Sequence, residues 1–340
     1  MVWECPQFDL HKQRHFERKF RTCCDSAKAT SRRAQSLAAA PHYSKVSKNR
    51  AQYGARDFCE LDACMSLNSD PYDWKGKIGH NWAQDYARTD RSFAGLTTVL
   101  VDRTCALSPG CLLDIGCGAG EAAIAVGRAN TKTDIIGIDL SEPLIAVARR
   151  RGRPLKNVRF AVADASAWRD PLFVPDTLMS RHGVMFFANP VKAFANLNAS
   201  SRRGVQLIFS CFRDRSDNAW ATEIGKLVGT VAIPGDITAP GPFAFADKTH
   251  VTRILAAAGW ENIAFEPVDW DYVAGDGADP VYDAVEYFQK IGPAASAIAG
   301  LEGAERDSML GEIADLCALN IQNGRVVFKA SAWIVTARAG

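Results

Sequence analysis

The sequence lacks the features that mark several large classes of protein. Its 340 residues contain no C-x-x-C pair, and none of the ten cysteines is paired with histidine at metal-ligand spacing, so we expect free thiols and no metal. No run of about 18 apolar residues occurs, which excludes a helix that spans a bilayer. Charges also fall where a secretory signal would be apolar, so we predict a cytoplasmic protein. A net charge of +2 with 23% charged residues is typical of a globular chain, not of a disordered or coiled-coil one.

Residues 1–64 differ in composition from the rest of the chain. They carry a net charge of +5, against −3 for the remainder, and hold five of the ten cysteines. They show neither strand alternation nor a sustained helical stripe, so we expect a disordered or dispensable basic extension, with Met65 as the natural start. The alternatives are a basic arm for nucleic acid or an acidic partner, and a mitochondrial transit peptide. Glu4, Asp9 and Glu17 disfavour the transit peptide.

From residue 76 the chain alternates between helix-like and strand-like segments. The pattern predicts a helix over about 81–107 and then a buried strand, Cys111–Ile115, followed by the turn Gly116-Cys117-Gly118-Ala119-Gly120 and a helix from Glu121. Further strands are predicted at 134–138, 158–162, 177–180, 205–210, 263–268 and 326–336, with one helix capped by Ser141 and another over 190–199. This alternation indicates an α/β protein with a parallel sheet. The last two strands have no crossover helix of the usual length, so we expect an antiparallel strand at the edge.

The residues of chemical interest follow the predicted strands directly. Open parallel sheets bind ligands beyond the carboxyl ends of their strands, which is where Asp114, Asp139 and Asp164 fall. The glycines of the turn let backbone approach a ligand closely. Asp139 lies 23 residues beyond Gly116, a spacing at which a carboxylate can accept both hydroxyls of a ribose. The pattern therefore favours a ribose-bearing cofactor, with a plain strand-to-helix turn as the alternative.

One residue separates this turn from the dinucleotide fingerprint. That fingerprint would need glycine at position 121, where this chain has Glu121. A carboxylate would then lie where a pyrophosphate binds, at a helix N-terminus that favours anions. A nicotinamide-dependent oxidoreductase of Rossmann type is therefore the weaker alternative.

Four motifs together resemble a known family, the class I S-adenosylmethionine-dependent methyltransferases. They are Leu113–Gly120, Gly137–Ser141, Ala163–Ala165 and Ser180–Phe187, in the family's order and spacing. The chain is most similar to the branch related to ubiquinone and menaquinone biosynthesis C-methyltransferases, over about residues 75–270. The resemblance implies a Rossmann-like, doubly wound, mostly parallel seven-stranded sheet with helices on both faces and an antiparallel edge strand.

The resemblance also implies S-adenosylmethionine as cofactor and a small organic molecule as methyl acceptor. It assigns Asp139 to the ribose hydroxyls, Asp164 to the adenine amino group, and Leu140 and Ala165 to the adenine pocket. The methionine portion is assigned to Asp114, Gly116, Cys117, Gly118 and Gly120. Arg181 is a further candidate for the donor carboxylate, or a structural residue. A noncatalytic donor-binding protein is a second possibility, and the negative balance of the folded part disfavours nucleic acid as partner.

Acceptor-side residues are predicted less directly. His182, at the end of the fourth strand, is the candidate general base, with a locally packed histidine as the alternative. This branch often has an aromatic residue there. Trp82, Tyr86 and Arg91 are expected to close over the donor or to pack within the first helix. The helical segments 214–259 and 281–320, with the Pro/Gly-rich flap Ala239-Pro240-Gly241-Pro242-Phe243-Ala244-Phe245, are expected to cover the acceptor, with a plain connector as the alternative for the flap. Together with Trp220 and Trp270, the flap indicates an apolar or aromatic acceptor.

Overall fold

The computed structural model describes residues 73–229 and 239–340. The predicted basic extension therefore lies outside the described residues. Within the described ranges, no helix is long and apolar enough to cross a membrane. The same ranges contain no group of three or more histidine, cysteine or acidic side chains that could hold a metal ion. The cytoplasmic location stays a prediction.

The first part of the fold alternates between helices and strands. Its elements are α1 (Lys77–Gln84), α2 (Tyr86–Ala106), β1 (Cys111–Ile115), α3 (Glu121–Ala129), β2 (Asp134–Asp139), α4 (Glu142–Gly152), β3 (Val158–Val162), β4 (Thr177–Arg181), α5 (Pro190–Ala199) and β5 (Gln206–Phe212). Strands β1 and β2 are buried along nearly their whole length, as strands covered on both faces are.

The second part adds helices and two long strands. Its elements are α6 (Ala219–Leu227), α7 (Lys248–Ala257), β6 (Trp260–Gly275), α8 (Pro280–Phe288), α9 (Ala295–Ala299), α10 (Gly303–Leu319), the short β7 (Ile321–Gln322) and β8 (Arg325–Ala339). Helices therefore occupy much of both segments that the sequence marks as helical additions.

The strands form one sheet in the order β3-β2-β1-β4-β5-β8-β6, with β7 paired to β8. Strands β1 to β5 are mutually parallel. Strand β8 runs antiparallel to both β5 and β6, so the edge strand β6 pairs antiparallel with its neighbour. The predicted mostly parallel α/β sheet is confirmed. The strand that reverses direction is β8, second from the edge, and the short β7 raises the strand number from the predicted seven to eight.

The order of the strands explains where the helices lie. From β1 the chain moves outward through β2 to β3, then returns and moves the other way through β4 to β5. Right-handed crossovers then put the two sets of helices on opposite faces. Accordingly α2, α3 and α4 pack in one group, while α5 packs against α7. The strand order reverses between β1 and β4, which is where open sheets of this kind bind ligands.

Two local predictions were wrong. The expected single helix over 81–107 is two helices that meet at Asp85, whose carboxylate is ion-paired with Arg88 and Lys290 instead of capping α2. Ser141 does precede α4, but its hydroxyl makes no cap. Instead its backbone amide donates to Oδ1 of Asp139 at 2.9 Å, so the strand-end carboxylate holds the start of the helix.

Candidate functional site

The glycine turn after β1 is held by backbone contacts with the neighbouring strands. The amide of Cys117 donates to the carbonyl of Ile138 at 3.0 Å, which ties the turn to β2. Gly116 has φ +64°, and a Cβ there would lie 2.8 Å from Cα of Gly183. Only glycine fits at position 116, because both the positive φ and the adjacent backbone exclude a side chain.

Gly118 lacks a side chain for a different reason. Its φ is +53°, but a Cβ built there would meet no described atom within 4 Å, so packing does not require glycine. Its amide donates to Oδ2 of Asp139 at 2.9 Å. The turn therefore presents bare backbone to open space beside a carboxylate, which is the shape of a cradle for a ligand.

Asp114 is a buried acid near the end of β1. It is only 1% exposed, and neither carboxylate oxygen has a hydrogen-bond partner of normal geometry among the described residues. Burial raises the pKa of Asp114 to about 7, against the opposing effects of Arg181 and the nearby Ala123 amide. Burial likewise raises the pKa of Asp139, although backbone amides donate to it. Neither carboxylate has a cationic side chain as an ion-pair partner among the described residues, so these two strand ends favour a cationic ligand.

These strand ends open into one cavity of about 860 Å³. Its lining includes nearly all of the residues that the resemblance assigns to the donor, namely Asp114, Gly116, Cys117, Gly118, Asp139, Leu140, Asp164, Ala165 and Arg181. Gly120 is not part of the lining. It precedes α3 with φ +83°, and a Cβ there would lie 2.7 Å from the Phe160 ring, so its role is in the turn and its packing.

Arg181 is engaged by side chains of the protein. Its guanidinium is ion-paired with Glu121 and donates to Oγ1 of Thr97 at 2.8 Å. Burial raises the pKa of Glu121 to about 7, although Arg181 opposes this shift. Asp90 pairs with two arginines: its Oδ1 lies 3.8 Å from Nη2 of Arg181, and its Oδ2 lies 2.5 Å from Nη2 of Arg151. Glu121 therefore forms part of a network beside the glycine turn, and its carboxylate leaves the start of α3 unsuited to a diphosphate.

His182 lies at the cavity wall with an unusual backbone. Its φ is +60°, its side chain is 8% exposed, and Nδ1 is hydrogen-bonded to Oγ of Ser210 at 2.7 Å. Nε2 has almost no exposed surface and no partner among the described residues. The centroid of the imidazole ring lies 5.3 Å from that of the Phe93 ring and 4.1 Å from that of the Phe212 ring. Burial, helped by Arg181, holds the pKa of His182 well below 6.5, so the imidazole is neutral at pH 7.

The remaining predictions divide between the cavity and the core. Trp82, Tyr86 and Trp220 line the cavity, as expected for residues that cover a ligand. Arg91 does not, because its guanidinium is ion-paired with Asp283 and donates to carbonyls of β6. Trp270 is also outside the lining, and its indole N–H donates to the Ser92 carbonyl.

Sequence reasoning missed several wall residues. Trp74, Ile78 and Asn81 line the cavity at the spacing of successive helical turns, and this periodicity starts before the predicted helix boundary. Further wall residues come from distant parts of the chain and carry no local signal. They include Phe93, Phe212, Arg215, Tyr272, Lys290, Ile291 and Ser296.

Residues 112–204 match the family model described as a methyltransferase domain. This segment is a class I methyltransferase domain. It contains the glycine turn and the three acidic strand ends. It also contains His182, so every residue assigned above from the resemblance lies within the matched part.

Curated relatives match only part of the chain. The chain is 26% identical over 193 residues to trans-aconitate 2-methyltransferase of Methylobacterium radiotolerans, covering 56% of this chain and 59% of the relative. It is 31% identical over 110 residues to demethylmenaquinone methyltransferase of Thermus thermophilus, covering 32% and 50%. The chain thus spans about half the length of the curated relatives that it matches.

A solved structure with a similar fold is phosphoethanolamine N-methyltransferase 2 of Haemonchus contortus in complex with S-adenosyl-L-methionine. It is 16% identical, with a TM-score of 0.43, and the match covers 76% of this chain and 57% of that chain.

The residues of the methyltransferase domain fit S-adenosylmethionine. Asp114 offers two unpartnered oxygens, and the open space at Gly118 accepts a ligand against backbone. The donor carries a positive sulfonium, which carboxylates at the strand ends attract. A dinucleotide would instead bring a diphosphate to Glu121. The chemistry of the site therefore agrees with the methyl donor and disagrees with NAD.

Proposed function

We propose that the protein transfers a methyl group from S-adenosylmethionine to a small organic acceptor. The observation that carries this proposal is the convergence of Asp114, Asp139 and Asp164, at the carboxyl ends of three different strands, at one cavity beside the glycine turn. Asp114 and the turn would hold the methionine part, Asp139 the ribose, and Asp164 the adenine, with Leu140 and Ala165 against the ring. Cys117 would contribute backbone only, because burial raises the pKa of its thiol well above 9.0.

The proposed reaction requires little chemistry from the side chains of the protein. When bound, S-adenosylmethionine supplies a methyl group on a positively charged sulfur. The protein's part is to align the acceptor with the donor, and good alignment contributes roughly 7–11 kcal/mol in well-oriented systems. Trp82 and Tyr86 cover the cavity and exclude water. We assign Arg181 a positioning role, because its pairing with Glu121 fixes the wall between β4 and α3.

His182 would serve as general base where the acceptor must lose a proton. Its neutral imidazole can accept a proton, and Ser210 occupies Nδ1, which leaves Nε2 for the acceptor. Such a base contributes about 10² to 10⁴ in rate. Because Nε2 has almost no exposed surface, the rings beside it, Phe93 and Phe212, would have to shift when the acceptor binds.

Two experiments test the proposed reaction. Calorimetry with S-adenosylmethionine, S-adenosylhomocysteine and NAD should show binding of the first two and none of NAD; the reverse would replace the proposal with an oxidoreductase. A labelled-methyl assay on a panel of small acids, phenols and quinols, with RNA as a further acceptor, should then yield a labelled small molecule. Donor binding with no transfer to any acceptor would favour the noncatalytic alternative, and transfer to RNA alone would contradict a small-molecule acceptor.

We also propose that residues 65–340 are the functional unit. A chain that begins at Met65 should keep the fold and the donor affinity of the full chain, because every site residue lies beyond residue 73. Circular dichroism and calorimetry would check both, and loss of either property would show that residues 1–64 are required.

A further inference from the structure

The far wall of the cavity is a column of stacked aromatic rings. Tyr272 and Trp220 are nearly parallel, with an interplanar angle of 10° and ring centroids 5.2 Å apart. Trp220 stacks in turn on Phe243, at 24° and 6.3 Å. Phe212 lies beside this column, 5.2 Å from Trp220. All four side chains line the cavity, and because Trp220 stacks with both Tyr272 and Phe243, the column offers a ligand mainly the edges of its rings.

A guanidinium ends the column. The Cζ atom of Arg215 lies 5.7 Å from the centroid of the Phe243 ring, and Nη2 donates to the carbonyl of Ala221 at 3.3 Å. Arg215 precedes α6 by four residues, and the amide of Gly241, two residues before Phe243, donates to the carbonyl of Met185 at 3.1 Å. The charge is therefore placed at a defined edge of the aromatic wall.

Arg215 differs from the other cations that line the cavity. Arg181 is ion-paired with Glu121, and Lys290 with Asp85 at 3.0 Å. Lys77 is exposed on the first turn of α1. Arg215 is half-buried, and no carboxylate of residues 73–229 or 239–340 lies within ion-pair distance of it. A guanidinium has five N–H donors in a planar fork that matches a carboxylate, and Arg215 uses one in the contact with Ala221.

The wall limits the number of negative charges that a ligand can bring. An unpaired anion loses its hydration against aromatic rings at a large cost, so each buried carboxylate needs a cation. The far wall supplies one such cation, Arg215, at the end of a column whose ring edges favour edge-to-face contact with a flat π system. A planar molecule with one carboxylate satisfies both features, whereas a tricarboxylate would leave two charges against apolar rings.

We propose that the methyl acceptor is a planar aromatic monocarboxylate, and that Arg215 together with the column of Tyr272, Trp220 and Phe243 selects it. This inference rests on the proposed function, because it assigns the acceptor part of the same cavity. Arg215 binds the carboxylate, and the edges of the rings contact the face of the aromatic part of the acceptor.

The test uses the full chain saturated with S-adenosylhomocysteine and three probes, cinnamate, cinnamamide and trans-aconitate. Cinnamate and cinnamamide share a planar conjugated frame and differ in the charge. Calorimetry, supported by quenching of tryptophan fluorescence, gives each affinity. We expect cinnamate to bind at least about ten-fold more tightly than either of the other two, which is the value of one hydrogen-bonded charge.

Two variants connect the effect to its residue. Arg215→Gln should weaken cinnamate binding about 10- to 100-fold and leave cinnamamide and S-adenosylhomocysteine unchanged. Arg203→Gln removes one charge from an exposed surface turn and should change none of the affinities. Trp220→Leu should weaken the binding of cinnamate and of cinnamamide equally, because it removes an aromatic contact and no charge.

The outcomes separate this inference from the proposed function. Equal binding of cinnamate and cinnamamide, tighter binding of trans-aconitate, or an Arg215→Gln variant that binds cinnamate normally would overturn the inference while donor binding still stood. Loss of S-adenosylhomocysteine binding by the unmodified protein would instead reject the proposed function, and the acceptor assignment with it. Should Arg215→Gln fail to fold, the comparison of the three probes on the unmodified protein decides the question.

Discussion

Asp139 joins the glycine turn to the start of α4 through a single carboxylate. Oδ2 accepts the amide of Gly118 and Oδ1 accepts the amide of Ser141, each at 2.9 Å. The two loops that follow β1 and β2 are therefore held at a fixed separation before any ligand arrives. A ligand that lies between them meets a preorganised site, which lowers the ordering cost of binding.

Asp139→Asn should weaken the binding of S-adenosylhomocysteine about 10- to 100-fold. Asparagine offers one acceptor oxygen and one NH₂ group, so one of the two backbone amides would face a donor and lose its partner, at a cost of about 1–3 kcal/mol. Calorimetry measures the affinity. Asp134→Asn, at the opposite end of β2 and ion-paired with Arg159, is the matched control and should bind normally. Equal losses in both variants would contradict the role of Asp139.

Gly116→Ala and Gly118→Ala should have different effects. Both residues have positive φ, so each alanine carries about 1–2 kcal/mol of backbone strain. Only the Cβ at position 116 collides with backbone, 2.8 Å from Cα of Gly183. In urea unfolding, the free energy of unfolding of Gly116→Ala should therefore be lower than that of Gly118→Ala by about 1–3 kcal/mol. Gly118→Ala should fold but bind S-adenosylhomocysteine weakly, and normal donor affinity in that variant would show that the open space at Gly118 is not the donor site.

Asp114 should make the protein less stable as the pH rises. Because burial raises its pKa from 3.8 to about 7, the folded state binds more protons than the unfolded state between these values. Stability is then lost as the pH rises through this window, by up to about 4 kcal/mol at roughly 1.4 kcal/mol per pKa unit. Unfolding of Asp114→Asn, compared with the parent from pH 4 to 7, should lack this component.

The control for that experiment is Asp164→Asn, at an exposed carboxylate of the same cavity. It should keep the pH dependence of the parent. A cationic donor favours the ionised form of Asp114, so donor affinity should increase as the pH rises through about 7. Parallel pH curves for the parent and Asp114→Asn would contradict the raised pKa.

His182→Asn should lower turnover about 10² to 10⁴-fold while donor affinity stays the same. Asparagine tolerates the φ of +60° at this position, so the backbone is preserved. His250→Asn, on α7 and outside the cavity lining, serves as the control with full turnover. Unchanged turnover in His182→Asn, with unchanged donor affinity, would remove the histidine as base.

The sequence predicted the strands well, because strands depend on local patterns, and the residues that it assigns to the donor meet at one cavity with the exception of Gly120. The apolar runs of β1 to β3, the glycine turn and the acids that follow each strand are short segments, and the parallel sheet brings their ends together. The aromatic wall could be predicted only in part, because Trp220 and Phe243 lie in segments that the sequence marks as covers of the acceptor, whereas Phe212 and Tyr272 carry no such signal. Phe212, Trp220, Phe243 and Tyr272 meet only through the packing of distant elements, and the break at Asp85 depends on a long-range ion pair with Lys290.

The position of β8 has a consequence for biosynthesis. Residues 325–339 lie between β5 and β6, so both of those strands keep an unpaired edge while the chain is still emerging from the ribosome. The nascent protein therefore exposes two strand edges until residues 325–339 are released. Slow translation or a premature stop in this region favours aggregation over a partly active product.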